Sequence, residues 1–74
     1  MEEIITVRGD YITLGQALKE AAIIPSGGAA KAFLADIPVW VNEEAENRRG
    51  RKLYPGDVVT IEDMGSLSIV SEDA

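Results

Sequence analysis

The chain has 74 residues, a formal charge of −6, no cysteine and no histidine. So short a domain buries only about 60% of its unfolded surface and has little margin of stability; without cysteine it has no disulfide or thiolate metal site to support it. The absence of histidine removes the commonest general base and the commonest neutral metal ligand, so the sequence points away from catalysis and toward binding.

The N-terminal stretch is acidic, with no apolar core of the kind a secretory leader carries, and no run approaches the ~20 apolar residues of a membrane span. A cytoplasmic protein is expected, with no membrane, metal, cofactor or small-molecule substrate. Global acidity disfavours indiscriminate polyanion binding, so any nucleic-acid contact must come from a local patch.

In chain order, "EEIITVR", residues 2–8, is rich in β-branched residues and predicts a strand. Thr13 is a candidate N-cap, and Gln16 completes a capping box with it. Leu14, Ala17, Leu18, Ala21 and Ala22 recur at helical spacing. That predicts a helix over 13–24, stopped by Pro25. Ser26 is the expected cap of a second helix over 26–36, with an apolar stripe of Ala29, Ala30, Phe33, Leu34 and Ile37. With only Pro25 and Ser26 between them, the two helices must turn sharply and pack as a pair.

Beyond Pro38 the periodicity changes to two. "PVWVN" predicts a strand with Val39 and Val41 on one face and Trp40 on the other. "EEAENRRGRK" has no apolar rhythm and reads as a loop or an irregular hairpin arm. "YPGD" reads as a turn in which Gly56 takes a positive φ. "VVTIED" and "SLSIV" are strands joined by a turn at Met64-Gly65, and "SEDA" reads as a frayed tail. The expected fold is α+β: a helix pair on one face of a small, mainly antiparallel sheet of four or five short strands. There is no sign of a linker, so residues 1–74 are read as a single domain.

The run "NRRGRK" stands out. Four of the seven Lys and Arg residues of the chain, Arg48, Arg49, Arg51 and Lys52, fall within it. A plain reading makes it a solvated loop that offsets Glu43, Glu44 and Glu46. The predominance of Arg favours phosphate binding, because the planar guanidinium fork engages phosphate oxygens in pairs. "SGGAAK" is the second candidate. Gly27, Gly28 and Lys31 lie away from the Phe33 and Leu34 stripe and give a smooth face that an RNA backbone could approach near a helix start. The glycines could equally serve only the turn between the helices. Trp40 suits stacking on an unpaired base, or else covers the second face of the sheet. Asn42 and Asp57 read as turn formers, and the acidic pairs as solvated charges.

Taken together, the second helix, "VWVNEE" and "LYPGDVVTIE" resemble the alpha-L RNA-binding domain, the module first recognised in the fourth small-subunit ribosomal protein. It also occurs in RNA pseudouridine synthases, tyrosyl-tRNA synthetases and a ribosome-rescue heat-shock protein. The resemblance spans about 12–63, flanked by strands near 2–8 and 66–70. Leu14 and Leu18 match the first helix, Ser26 the opening of the second, Val39, Val41 and Asn42 the strand, and Gly56, Asp57 and Val59 the turn and strand after it. "SGGAAKAFL" with "NRRGRKL" is most similar to the small stand-alone YaaA and YbcJ branch, YaaA in particular.

One position departs from the pattern: the basic residue that follows the helix-opening Ser is Gly27 here, and Lys31, one turn on, is its candidate replacement. The resemblance implies a non-catalytic, monomeric protein that binds structured RNA, most simply ribosomal RNA or a ribosomal subunit, in ribosome assembly or association. The expected RNA-binding residues are Arg48, Arg49, Arg51, Lys52, Lys31, Ser26, Gly27, Gly28 and Trp40. A rival reading is a β-grasp sulfur carrier or ubiquitin-like protein. It is disfavoured by the helix pair and by a chain that ends "VSEDA" instead of Gly-Gly. A protein-interaction adaptor without RNA is a third reading.

Overall fold

The computed structural model describes residues 2–72. Its elements are β1 (Glu2–Val7), β2 (Ile12–Thr13), α1 (Leu14–Glu20), a short 3-10 turn (Gly27–Ala29) running into α2 (Ala30–Asp36), then β3 (Val39–Val41), β4 (Glu44–Ala45), β5 (Lys52–Leu53), β6 (Val58–Ile61) and β7 (Gly65–Ser71). The main sheet has the order β1-β7-β6-β3-β4, and β2 pairs with β5 in a separate two-stranded ladder. β1 runs parallel to β7, and the other pairings of the main sheet are antiparallel. This is the expected α+β arrangement.

Period-two alternation puts Ile5, Val7, Val39, Val41, Val59, Ile61, Leu67 and Ile69 on the face that meets Leu14, Ala17, Leu18, Ala30 and Leu34 of the helices, in one buried cluster. Each fully buried aliphatic side chain contributes about 1.5–3 kcal/mol, the main stabilising term in a domain this small.

The helix pair departs from expectation at its joint. The first helix ends at Glu20, before Pro25 can act. Ala22 takes a left-handed φ of 61°. The Ala22 N–H donates to the Lys19 carbonyl and the Ile23 N–H to the Leu18 carbonyl, both at 3.0 Å. This is the Schellman pattern, usually built on glycine, here with an alanine in the left-handed position. Ala22 is therefore exposed and is not part of the apolar face. Six residues, 21–26, separate the helices instead of two.

Ser26 precedes the 3-10 turn, but its hydroxyl makes no capping bond; the turn closes through its backbone carbonyl instead, which accepts from the Ala29 N–H at 3.1 Å. In the second helix Ala30 and Leu34 are buried, whereas Ala29, Phe33 and Ile37 pack against the core only in part.

Two turns explain the sequence signature. Asn42 (φ 51°) and Glu43 (φ 72°) form a two-residue hairpin of the type with both central φ positive, joining β3 to β4. Asn42 Nδ2 donates to Asp57 Oδ1 at 2.9 Å, and Asn42 Oδ1 accepts from the Val58 N–H at 2.9 Å. Asp57 Oδ2 accepts from the Tyr54 N–H at 2.8 Å, closing the turn in which Gly56 has φ 101°. The Val-Asn and Gly-Asp elements thus lock one turn against another, as turn formers would. At the following corner the turn is Glu62–Met64, with Asp63 left-handed, and Gly65 already belongs to β7. The expected fraying is absent at Ser71, which is in β7, and at Glu72, whose N–H donates to Val7 at 3.1 Å; Asp73 and Ala74 lie outside the described residues.

Candidate nucleic-acid interface

The basic run is not a free loop. It leaves β4, folds over the start of α1, and returns as β5. Leu14 N–H donates to the Arg51 carbonyl at 2.8 Å and Gly15 N–H to the Arg49 carbonyl at 2.9 Å. Gln16 N–H reaches the Thr13 hydroxyl at 3.3 Å. The N–H groups at the helix start, normally left without partners, are thereby satisfied by the loop backbone and the N-cap. Gly15 makes the approach possible, since a Cβ there would stand 3.2 Å from Ala30 Cβ and 3.4 Å from the Arg49 carbonyl oxygen.

At the root of the loop lies Glu46, one of the acids the basic run is expected to offset, and its carboxylate is buried. Its Oε2 accepts from Arg48 Nε at 2.9 Å and from the N–H groups of Asn47 and Arg48, each at 3.1 Å. Its Oε1 accepts from Arg51 Nη1 at 2.8 Å and Arg48 Nη2 at 3.1 Å. The Arg48 hydrogen bond, with those from Arg51 and the backbone, outweighs the burial that opposes ionisation and holds the Glu46 carboxyl down at about 2. The same contact pushes Arg48 up. The plain reading of the loop is therefore half right: one acid, Glu46, neutralises part of the run, while Glu43 and Glu44 are exposed.

The cations of the loop line two depressions. On one side, Arg49 and Gly50 share a depression with Thr13, Gly15, Gln16, Lys19 and Gly27. Among the described residues, the ion pairs join Arg48 and Arg51 to Glu46 and Arg8 to Glu72, leaving the side chains of Arg49, Lys19 and Lys31 unpaired. Gly27 has nothing within 4 Å of where a Cβ would stand, and Gly28 has only the Ser26 hydroxyl at 3.8 Å. Neither adopts the left-handed φ that would demand glycine. The turn alone therefore does not account for them, and they leave the surface beside Arg49 without bulk. On the other side, Arg48, Arg51 and Lys52 line a second depression with Gly50 and Tyr54.

Trp40 is half-buried, opposite in pleat to Val39 and Val41 and in register with Ala45 and Thr60. The groove it lines, with Leu34, Pro38, Ala45 and Asn47 among its walls, contains no Lys or Arg. The structure thus brings Arg49 to Gly27 and gathers Arg48, Arg51 and Lys52, while the groove that Trp40 lines holds none of these side chains and touches the loop through Glu46 and Asn47. Sequence reasoning missed Lys19, Gly15 and Glu46. Lys19 was legible as an exposed position on the first helix; the packing of Gly15 under the loop was not. Among the described residues no cluster of acidic side chains is arranged to hold a metal, and no helix is long and apolar enough to cross a membrane.

The model of a family described as the S4 domain matches residues 5–70. Over 67 residues the chain is 57% identical to the probable ribosome maturation protein RlbA of Bacillus subtilis (strain 168), an alignment that covers 90% of this chain and 94% of that protein.

Proposed function

Since the chain belongs to the S4 domain family, of the alpha-L RNA-binding type, we propose that it is a non-catalytic, cytoplasmic, monomeric protein that binds structured ribosomal RNA during maturation of a ribosomal subunit. The observation that carries this reading is the depression between α1, the 3-10 turn and the loop. There Arg49 and Lys19, both without an acidic partner, flank Gly15, Gly27 and Gly50. Unpaired cations around a surface without bulk suit a phosphate backbone, which needs both charge and close approach. Lys31, one turn beyond Gly27 in the sequence and exposed, is a further cation for the same RNA. Arg48, with its guanidinium largely exposed, keeps donors for a ligand while Glu46 fixes its direction. The maturation role follows the name of the Bacillus relative.

The test is to crosslink the protein to RNA in cells and sequence what is bound. The reading predicts a cluster of crosslinks on one segment of ribosomal RNA. Crosslinks scattered over transcripts in proportion to their abundance, or none at all, would contradict it.

A further inference from the structure

The two-residue ladder between β2 and β5 does more than close the loop. Ile12 pairs with Leu53 and Thr13 with Lys52. Ile12 and Leu53 point into the core, where both are buried. Side chains alternate across a strand, so the neighbouring positions, Tyr11, Thr13, Lys52 and Tyr54, face outward together. The antiparallel register, continued by one residue, sets Tyr11 opposite Tyr54. Their ring centroids are 6.1 Å apart with planes tilted by 51°, and Lys52 Nζ sits 4.9 Å from the Tyr11 ring centroid. Both rings are nevertheless open to solvent, Tyr11 at 43% and Tyr54 at 48% exposure. Tyr54 lines one depression with Arg48, Gly50, Arg51 and Lys52. A pair of aromatic faces held by a strand register, beside three cations and a glycine, combines the two features that a single-stranded nucleotide requires: a ring to stack on and positive charge for its phosphates.

We propose that Tyr11 and Tyr54, with Lys52 and the flanking, largely exposed Arg48, form a stacking site for an unpaired nucleotide of the bound RNA. The inference rests on the RNA-binding reading above and adds to it the kind of RNA element recognised. The Arg49 side of the loop takes the backbone of a paired region, and the tyrosine side takes a bulged or loop base next to it. The aromatic contact therefore belongs to these tyrosines and not to Trp40.

Two RNAs separate the sides: a blunt RNA duplex and a short oligoadenylate, each titrated against the full chain by fluorescence anisotropy. Tyr54→Leu should weaken binding of the oligoadenylate by roughly 5- to 150-fold, the range that loss of one stacked base gives. Its affinity for the duplex should stay within about twofold, because phosphate contacts are untouched. Tyr54→Phe keeps the ring and should bind both RNAs as the wild type does. In the wild-type protein, NMR should show the Tyr11 and Tyr54 ring resonances moving upfield on addition of oligoadenylate, with the Trp40 indole unmoved. That readout needs no variant and stands even if Tyr54→Leu melts too low to use. Wild-type protein that binds duplex but not oligoadenylate would overturn the stacking site and leave the RNA-binding reading standing. So would a Tyr54→Leu variant that changes both affinities alike or neither, or a ring-current shift at Trp40 instead. Failure to bind either RNA would overturn both proposals.

Discussion

Arg51 and Arg49 stand two residues apart in the same basic run, yet they have opposite surroundings. Arg51 turns inward: its side chain is largely covered and donates to a buried carboxylate at 2.8 Å. Arg49 contributes its carbonyl to the start of α1 but leaves its guanidinium without a partner, beside Lys19 and Gly27. Arg48 lies between these extremes, bonded to Glu46 by two nitrogens while most of its side chain is exposed. Within one loop, then, some cations build the scaffold and others are held out for a ligand. Charge count alone does not distinguish them; the position of one acid does.

The largest way to break this division is to remove that acid. Glu46→Ala strands two guanidinium groups and two backbone N–H donors. It should cost roughly 2–3 kcal/mol, read as a lower denaturation midpoint, with Arg48's exposure to water limiting the loss. The same residue sets an acid sensitivity. A carboxyl held at about 2 in the folded chain, against 4.5 when unfolded, contributes stability that is complete above pH 4.5 and is lost as pH falls from there toward 2. Glu46→Gln should flatten the fall of melting temperature in that window, and an unchanged slope would mean that the Arg contacts do not hold in solution.

A finer contrast comes from the arginines themselves. Arg51→Ala should cost about 1–2 kcal/mol, because a charged hydrogen bond to a buried acceptor is lost. Arg49→Ala should stay within about 0.5 kcal/mol, as exposed charges contribute little. Equal costs in thermal melts would erase the distinction. An effect of the opposite sign lies at the helix joint, away from the loop. Ala22→Gly should stabilise by about 0.5–1 kcal/mol, since glycine adopts the left-handed φ without strain, and should leave RNA affinity unchanged.

How much of this was legible in the sequence depends on which forces act locally. Strands with clear alternation, such as β3 and β6, were readable because their pattern is set by burial on one face. So was Gly56, whose turn demands a positive φ. The end of α1 was not. Alanine is the best helix former, so no local preference marks Ala22 for its left-handed conformation; the chain beyond it turns in to bury Ile24 in the core, with Ile23 packed against it in part. The ladder of β2 and β5 was equally hidden, since two residues per strand carry no period. Without it, Tyr11 and Tyr54 looked unrelated. Phe33 kept the right spacing for the core but sits at its margin, so Phe33→Ala is expected to cost less than a fully buried phenylalanine would. Glu46 was the costliest omission: a glutamate among polar neighbours gives no sign of burial until its two arginines are placed around it.

The salt dependence of binding to purified ribosomal RNA, measured for the wild type and for the Arg49→Ala/Lys31→Ala double variant, bears most directly on the claim that the outward cations meet phosphate. Each phosphate contact adds about 0.7–0.9 to the slope of log affinity against log salt. The double variant should therefore show a slope shallower by about 1.4–1.8, with a melting curve that matches the wild type. Equal slopes for two equally folded proteins would mean that Arg49 and Lys31 do not touch the RNA, and that the depression between the helices and the loop is not its binding surface.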